Sequence, residues 1–245
     1  MQRFKNIIVL TLLLLGSILI AEAVPNTEYK VIKCDEQSGV CIARDKVLRY
    51  GLMTRDNKLL TQFEFSRIKN VSSNLYLVTK NNKDGLIDNQ GQIVLEPNYQ
   101  IRPSRIEKTL QYSLPFDDNF GLISLKTGQV LIKNEYSNII KDSAGNYIVE
   151  KNFSQNQNGV LNSEGKQIIP TEYYFIMLMN GNKYYRLDKE VNNTDKFGVA
   201  DLNGKIIVPV ECSWIDKKPN GFIYGVKKND GSYKFNAQTG SLTKE

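Results

Sequence analysis

The chain of 245 residues contains no histidine, one tryptophan, three cysteines and seven prolines. Without an imidazole, Ser-His-Asp and Cys-His mechanisms are excluded, because each needs one to take the nucleophile's proton. The mixed Cys/His zinc sites fall with them. No Gly-x-Ser-x-Gly elbow and no Gly-rich phosphate loop ahead of a helix is present. Beyond the first 23 residues no segment holds a 3.6-residue apolar period long enough for a major helix. Long runs of one charge are also missing. Lysine and arginine number 32 against 26 acidic residues, for a net charge of +6. They are scattered, with only small groups such as Arg102, Arg105 and Lys108, or Lys217, Lys218, Lys227 and Lys228. That spread reads as a solvated exterior and points away from nucleic acid, whose binding concentrates basic charge on one element.

What the chain does have is repetition. Gly51, Gly85, Gly121, Gly159 and Gly198 each begin a Gly-apolar-apolar segment followed by a polar turn and an apolar run, at intervals of 34, 36, 38 and 39 residues. Such a period marks stacked repeats rather than one wound domain. The copies align on a turn residue, Asn57, Gly91, Gly128, Gly165 and Gly204. Eight residues on come Phe65, Tyr99, Tyr136, Tyr173 and Cys212, preceded by Glu64, Asn98, Glu135, Glu172 and Glu211. Eleven residues after four of the anchors stands an isoleucine, Ile68, Ile139, Ile176 or Ile215; the second copy has Arg102 there. A partial sixth copy covers Tyr233 to Gly240.

Ahead of the repeats, Arg3 and Lys5 precede an apolar run from Ile7 to Ala21 that ends in Ala21-Glu22-Ala23. A basic start, a short apolar stretch and a small-x-small site predict an export signal over residues 1–23, cleaved after Ala23. The run is short for a membrane span, so a retained anchor is the alternative, and membrane association is expected only in that case. Residues 24–49 read as an N-terminal hairpin cap and 50–245 as a repeat domain of about five full units and one partial unit. Cys34 and Cys41 flank a polar stretch containing Gly39, and in an oxidising space such a pair can close a disulfide. A metal or redox pair is the rival, but the spacing is wider than C-x-x-C. Cys212 occupies the aromatic position of its unit and reads as a buried space-filler.

Inside each unit the runs are short, β-branched or aromatic, and separated by Asn, Asp and Gly turns, the pattern of consecutive hairpins. Leu75 to Thr79, Gly85 to Asp88 and Gln92 to Leu95 form one such trio. Tyr147 to Val149, Gly159 to Leu161 and Gln167 to Ile169 form another. Pro97, Pro170 and Pro209 follow the third strand and are expected to end its pairing.

The units resemble the WG repeat, or KWG repeat, of bacterial exported and surface proteins. Its aromatic-Gly pair survives as Tyr50-Gly51, Phe120-Gly121 and Phe197-Gly198, while Asp84-Gly85 and Asn158-Gly159 depart from it. Its second half survives in Ile93 to Tyr99, Ile168 to Tyr173 and Ile206 to Cys212. The resemblance covers roughly residues 45 to 245, and it implies a β-rich repeat with a binding role and no catalytic residues.

The expected fold is therefore all-β: tandem repeats of roughly three short antiparallel strands, stacked as an open β-repeat array. A three-stranded unit cannot bury both faces alone, so neighbours must stack. A closed propeller-like toroid is the alternative, if the last segment pairs with strands near Tyr29 to Ile32. Phe65, Tyr99, Tyr136 and Tyr173 form either a core spine, ring on ring, or a ligand-binding aromatic ladder. The glutamates before them serve turns and solvent, or else cations. The functional expectation is an exported, non-catalytic module that presents an extended surface to a protein or glycan partner, with no cofactor and no metal. A secreted carbohydrate-active enzyme using Asp and Glu, for which adjacent acids such as Asp117 and Asp118 are poorly placed, and a structural envelope component are the alternatives.

Overall fold

A computed structural model describes residues 28–151, 157–179, 183–217, 222–226, 231–236 and 239–244. The segment expected to be an export signal, residues 1–23, lies outside the described residues, as do Lys218, Lys227 and Lys228. Among the described residues all regular structure is strand.

The chain divides between Phe63 and Glu64 into two compact units. In the first, β1 (Tyr29–Cys34), β2 (Val40–Asp45) and β3 (Tyr50–Thr54) form one antiparallel sheet in that order. Cys34 and Cys41 are directly paired across β1 and β2 and are joined by a disulfide. Asp35 shapes the connecting turn: its Oδ1 accepts hydrogen bonds from the backbone N–H groups of Gln37 at 3.1 Å and Ser38 at 2.8 Å. These bonds hold its carboxyl below the usual carboxylate range. β3 finds its backbone partners on β2, so the strand that opens at Tyr50 shares a sheet with the N-terminal hairpin.

The second unit opens with β4 (Arg67–Ser72), β5 (Leu75–Lys80), β6 (Lys83–Asp88), β7 (Ile93–Pro103), β8 (Thr109–Ser113), β9 (Phe120–Ser124) and β10 (Val130–Tyr136), all in one sheet. Three sheets of four strands follow. The first contains β11 (Asn138–Lys141), β12 (Tyr147–Glu150), β13 (Asn158–Leu161) and β14 (Gln167–Tyr173). The next contains β15 (Phe175–Met179), β16 (Tyr184–Val191), β17 (Thr194–Asp201) and β18 (Ile206–Cys212). The last contains β19 (Trp214–Lys217), β20 (Phe222–Val226), β21 (Ser232–Asn236) and β22 (Ser241–Lys244). Strand order follows chain order and each sheet has two ends, so none closes on itself. This is the layout of an open β-repeat array. The last segment, Tyr233 to Leu242, pairs within its own sheet, while Tyr29 to Ile32 pairs with β2.

Each repeat sheet thus gains a fourth strand beyond the expected three. It comes from the stretch after the aromatic position and carries the isoleucines Ile68, Ile139, Ile176 and Ile215. A bend residue, Ser66, Ser137, Tyr174 or Ser213, stands directly before this strand. Ser66 and Ser137 fix the bend by donating from both N–H and Oγ to the carbonyls of Thr79 and Glu150. The second copy lacks that residue. Its buried isoleucine is Ile101, two positions after Tyr99 instead of three, so the isoleucine expected at 102 sits one residue earlier. With no bend to interrupt it, β7 runs for 11 residues and joins two four-stranded sheets into one of seven.

The prolines do not end their strands. Pro97, Pro170 and Pro209 lie inside β7, β14 and β18, at a point where register shifts. Between Asp84↔Tyr99 and Leu86↔Leu95, two steps on β6 are matched by four on β7. The surplus forms a β-bulge, where a residue without an N–H costs no ladder bond. The bulge folds down onto the partner strand, and this is what the repeating glycine serves. A Cβ on Gly85 would lie 2.6 Å from the Leu95 carbonyl oxygen and 2.7 Å from the Pro97 nitrogen. The turn anchors do a different job, all five having positive φ, from 66° at Asn57 to 84° at Gly204.

The core of the second unit is a series of clusters, the first within the seven-stranded sheet and the next three each shared by consecutive sheets. Leu77, Leu86, Ile101 and Ile123 form one; Leu122, Ile132, Tyr136, Ile139 and Val149 the next. Val160, Tyr173, Ile176 and Leu187 form a third, and Val199, Val208, Cys212 and Phe235 a fourth. Each buried Leu, Ile or Phe contributes roughly 1.5–3 kcal/mol, so the sheets of the second unit that share a cluster depend on one another for burial.

Candidate functional site

Four of the five aromatic positions are buried. Phe65, Tyr136 and Tyr173 are 3%, 6% and 5% exposed, and Cys212 is fully buried. Tyr99 is half-buried and meets Tyr112 edge to face at 5.2 Å. The rings do not stack on one another: Tyr136 and Tyr173 belong to different clusters, each facing the isoleucine of the following sheet. Burial pushes the Tyr136 hydroxyl up to about 12, assisted by the neighbouring Glu135 carboxylate, and it does the same to Tyr112. Phe65, Tyr136 and Tyr173 are thus held in the core, and Tyr99 keeps part of its ring at the surface.

Of the glutamates before those rings, Glu135, Glu172 and Glu211 lie in the bulges of β10, β14 and β18, and Glu64, Glu135 and Glu172 pair with lysines. Lys80 Nζ reaches Glu64 at 2.6 Å, Lys189 reaches Glu172 at 3.1 Å and Lys151 reaches Glu135 at 3.7 Å. Glu211 accepts a hydrogen bond from the Tyr233 hydroxyl at 2.9 Å. Asp117 caps its own turn, accepting from Asn119 N–H at 2.9 Å. Among the described residues no group of three His, Cys, Asp or Glu side chains could hold a metal ion.

Chemistry directed outward is found elsewhere. The face of β7, β8 and β9, the segment from Pro103 to Glu107 and the strand β11 enclose a cleft of about 890 Å³. Its floor is apolar, from Ile106, Phe120, Leu122 and Ile139, with the 53% exposed Ile140 at its side. Three cations line it: Arg102 from β7, Arg105 from the following segment and Lys141 from β11. Gln111 adds a neutral polar group, and Glu107 is the single carboxylate on the wall. Among the described residues none of the three cations has a carboxylate within ion-pair distance; Lys141 rests 5.7 Å from the centre of the Tyr147 ring. Unpaired cations beside apolar surface favour an anionic ligand with an apolar component.

Sequence reasoning grouped Arg102, Arg105 and Lys108 but assigned them to general solvation. Lys108 does not line the cleft, and Lys141, Ile140 and Phe120 come from distant positions that spacing alone does not bring together. The one available signal was that Arg102 stands where other copies place isoleucine.

Residues 50–83 and 85–100 match the model of the WG containing repeat. No match is found among curated proteins. Among solved structures, the chain is similar to Hsv2 of Kluyveromyces lactis, at 13% identity over 85% of this chain and 73% of that one, with a TM-score of 0.29. It is also similar to an oligogalacturonate lyase in complex with manganese, at 11% identity over 86% of this chain and 75% of that one, TM-score 0.29. Overlaps of this size fix neither fold nor activity.

Proposed function

We propose that this chain, which carries WG repeats at residues 50–83 and 85–100, is a non-catalytic binding module of an exported protein, working in a periplasm, at a cell surface or outside the cell. It presents an extended surface to a protein or glycan partner. The observation that carries this reading is the cleft between the β7–β9 face and β11, where Arg102, Arg105 and Lys141 stand without carboxylate partners above an apolar floor. A disulfide between Cys34 and Cys41 suits an oxidising compartment. Among the described residues no helix is long and apolar enough to cross a membrane.

The test is retention of the full chain on immobilised polyanions, polyglutamate and polygalacturonate, at physiological salt. The unaltered chain is expected to be retained on at least one of them. The Arg102→Glu/Arg105→Glu variant, with unchanged circular dichroism, is expected to elute early. Equal elution of the two would remove the cleft as the binding site.

A further inference from the structure

Resting on the reading of the cleft as the binding site, we infer that its occupant is an extended acidic polypeptide segment, added as a fifth strand to the free edge of β11.

Three observations meet there. First, β11 is the end strand of its sheet, in the order β11-β12-β13-β14. Its register with β12 is regular: Asn138↔Glu150, Ile139↔Val149, Ile140↔Ile148 and Lys141↔Tyr147. The next residue along, Asp142, donates its N–H to the Asn146 carbonyl at 2.9 Å. Antiparallel pairs alternate between hydrogen-bonded and open, so Asn138 and Ile140 face β12, and the backbone N–H and C=O of Ile139 and Lys141 face away from the sheet. Second, all four residues of β11 line the cleft, so the free edge borders a space that the β7–β9 face also lines. Third, the wall holds three cations to one carboxylate, Arg102, Arg105 and Lys141 against Glu107.

A row of unpaired backbone groups is a template for another strand, and backbone pairing supplies affinity while alternate side chains supply selectivity. An incoming strand directs every second side chain toward Arg102, Gln111 and Phe120. Acidic residues there meet the arginines, and apolar residues meet Ile106 and Ile140. A glycan can answer the cations, and its hydroxyls can meet single backbone groups, but only a peptide strand repeats N–H and C=O at the spacing of a strand edge. A second copy of this chain would bring Lys141 against the same cations, so the charge that admits an acidic segment also discourages self-pairing.

The probe is a labelled peptide of alternating Val and Glu, ten residues long, titrated by fluorescence anisotropy against the full chain. Two further versions are N-methylated on alternate residues, one in each phase, and a labelled polygalacturonate oligomer is titrated in parallel. The expected result is binding of the parent peptide, weakened about tenfold or more by Arg102→Glu/Arg105→Glu. One N-methylated phase should bind like the parent and the other about tenfold more weakly, because only one phase removes N–H groups that face β11. Equal binding of all three peptides overturns strand addition. Binding of the polygalacturonate alone, lost on charge reversal, also overturns it while leaving the cleft a binding site. If neither probe binds in a way that depends on Arg102 and Arg105, both the strand addition and the cleft assignment fall.

Discussion

Tyr185, in β16, donates its phenol proton to Asp142 Oδ2 at 2.5 Å, tying one sheet to the first hairpin turn of the sheet before it. Oδ1 of the same aspartate holds that turn, accepting from the N–H groups of Ala144 and Asn146, both at 2.9 Å. The Asn146 amide donates to the Tyr185 oxygen at 3.0 Å and to the Leu202 carbonyl at 3.1 Å. Tyr185 is fully buried, and its hydroxyl is raised well above the ordinary tyrosine range, first by burial and then by the bond to Asp142. Most of the side chains shared by consecutive sheets are apolar. This cluster of three polar side chains adds directional bonds between the two sheets.

Removing only the phenol oxygen, in Tyr185→Phe, should destabilise the second unit by about 1–2 kcal/mol, the cost of one buried hydrogen bond with an unpaired group left behind. Asp142→Ala should cost more, because it also releases the two turn bonds. Urea denaturation of both variants checks the order. A Tyr185→Phe loss equal to or larger than that of Asp142→Ala would mean the phenol bond outweighs the turn.

The glycines that start each unit invite a second comparison. Gly85→Ala places a Cβ 2.6 Å from the Leu95 carbonyl and forces the bulge outward, an overpacking cost of about 1–3 kcal/mol or more. Gly145 has φ +94° with nothing within 4 Å of a built Cβ, so Gly145→Ala carries only the backbone penalty, about 1–2 kcal/mol. Thermal melts should rank Gly85→Ala as the more damaging. Equal losses would show that the bulge can yield.

Much of this architecture was legible in the residues. Period, turn anchors and the aromatic position could be read because each answers to a local rule: positive φ at the anchor, alternation along a strand, a large apolar group at a fixed offset. The fourth strand was missed because Asn138 to Lys141 is only four residues long and follows the aromatic position after a single bend residue, so it reads as the tail of the preceding unit, although it pairs in a local hairpin with β12. The prolines misled for a related reason. A missing N–H does forbid ladder pairing, but a bulge supplies a place inside a strand where no pairing is required. The cleft was the least legible feature, since Arg102 and Lys141 lie 39 positions apart and meet only through stacking.

Insertion of one serine between Tyr99 and Gln100 should restore the bend that the other copies have. β7 is then expected to break into two strands, separating the seven-stranded sheet into two of four. A crystal structure of the insertion variant decides it directly. A continuous strand through the insertion would show that something other than linker length joins these sheets.

The cysteines give a chemical prediction. In protein purified under oxidising conditions, intact mass and thiol counting should show one free thiol, Cys212, unreactive in the native state because it is fully buried. It should react only in denaturant. Reduction of the Cys34–Cys41 bridge should cost the first unit about 2–3 kcal/mol by the loop-entropy estimate and leave the second unit's melting unchanged. Three thiols in the oxidised protein would contradict the bridge.

Alkaline pH should weaken the second unit through its buried tyrosines. Tyr112 and Tyr136 are both pushed up to about 12 in the folded chain, by burial first, against about 10 for an exposed tyrosine. Between those values the folded state holds protons that the unfolded chain has lost, so stability falls as pH rises. The stabilisation is complete below about pH 10 and disappears on passing about 12. Absorbance of tyrosinate near 295 nm, followed together with circular dichroism, should show the exposed tyrosines titrating first while the fold is kept. The buried set should then ionise cooperatively with loss of structure. Tyr136→Phe should shift that second transition to higher pH, since Phe needs no proton to stay buried. A single smooth titration of all tyrosines near pH 10, with structure intact, would mean these rings are reached by solvent and that the core clusters do not close over them.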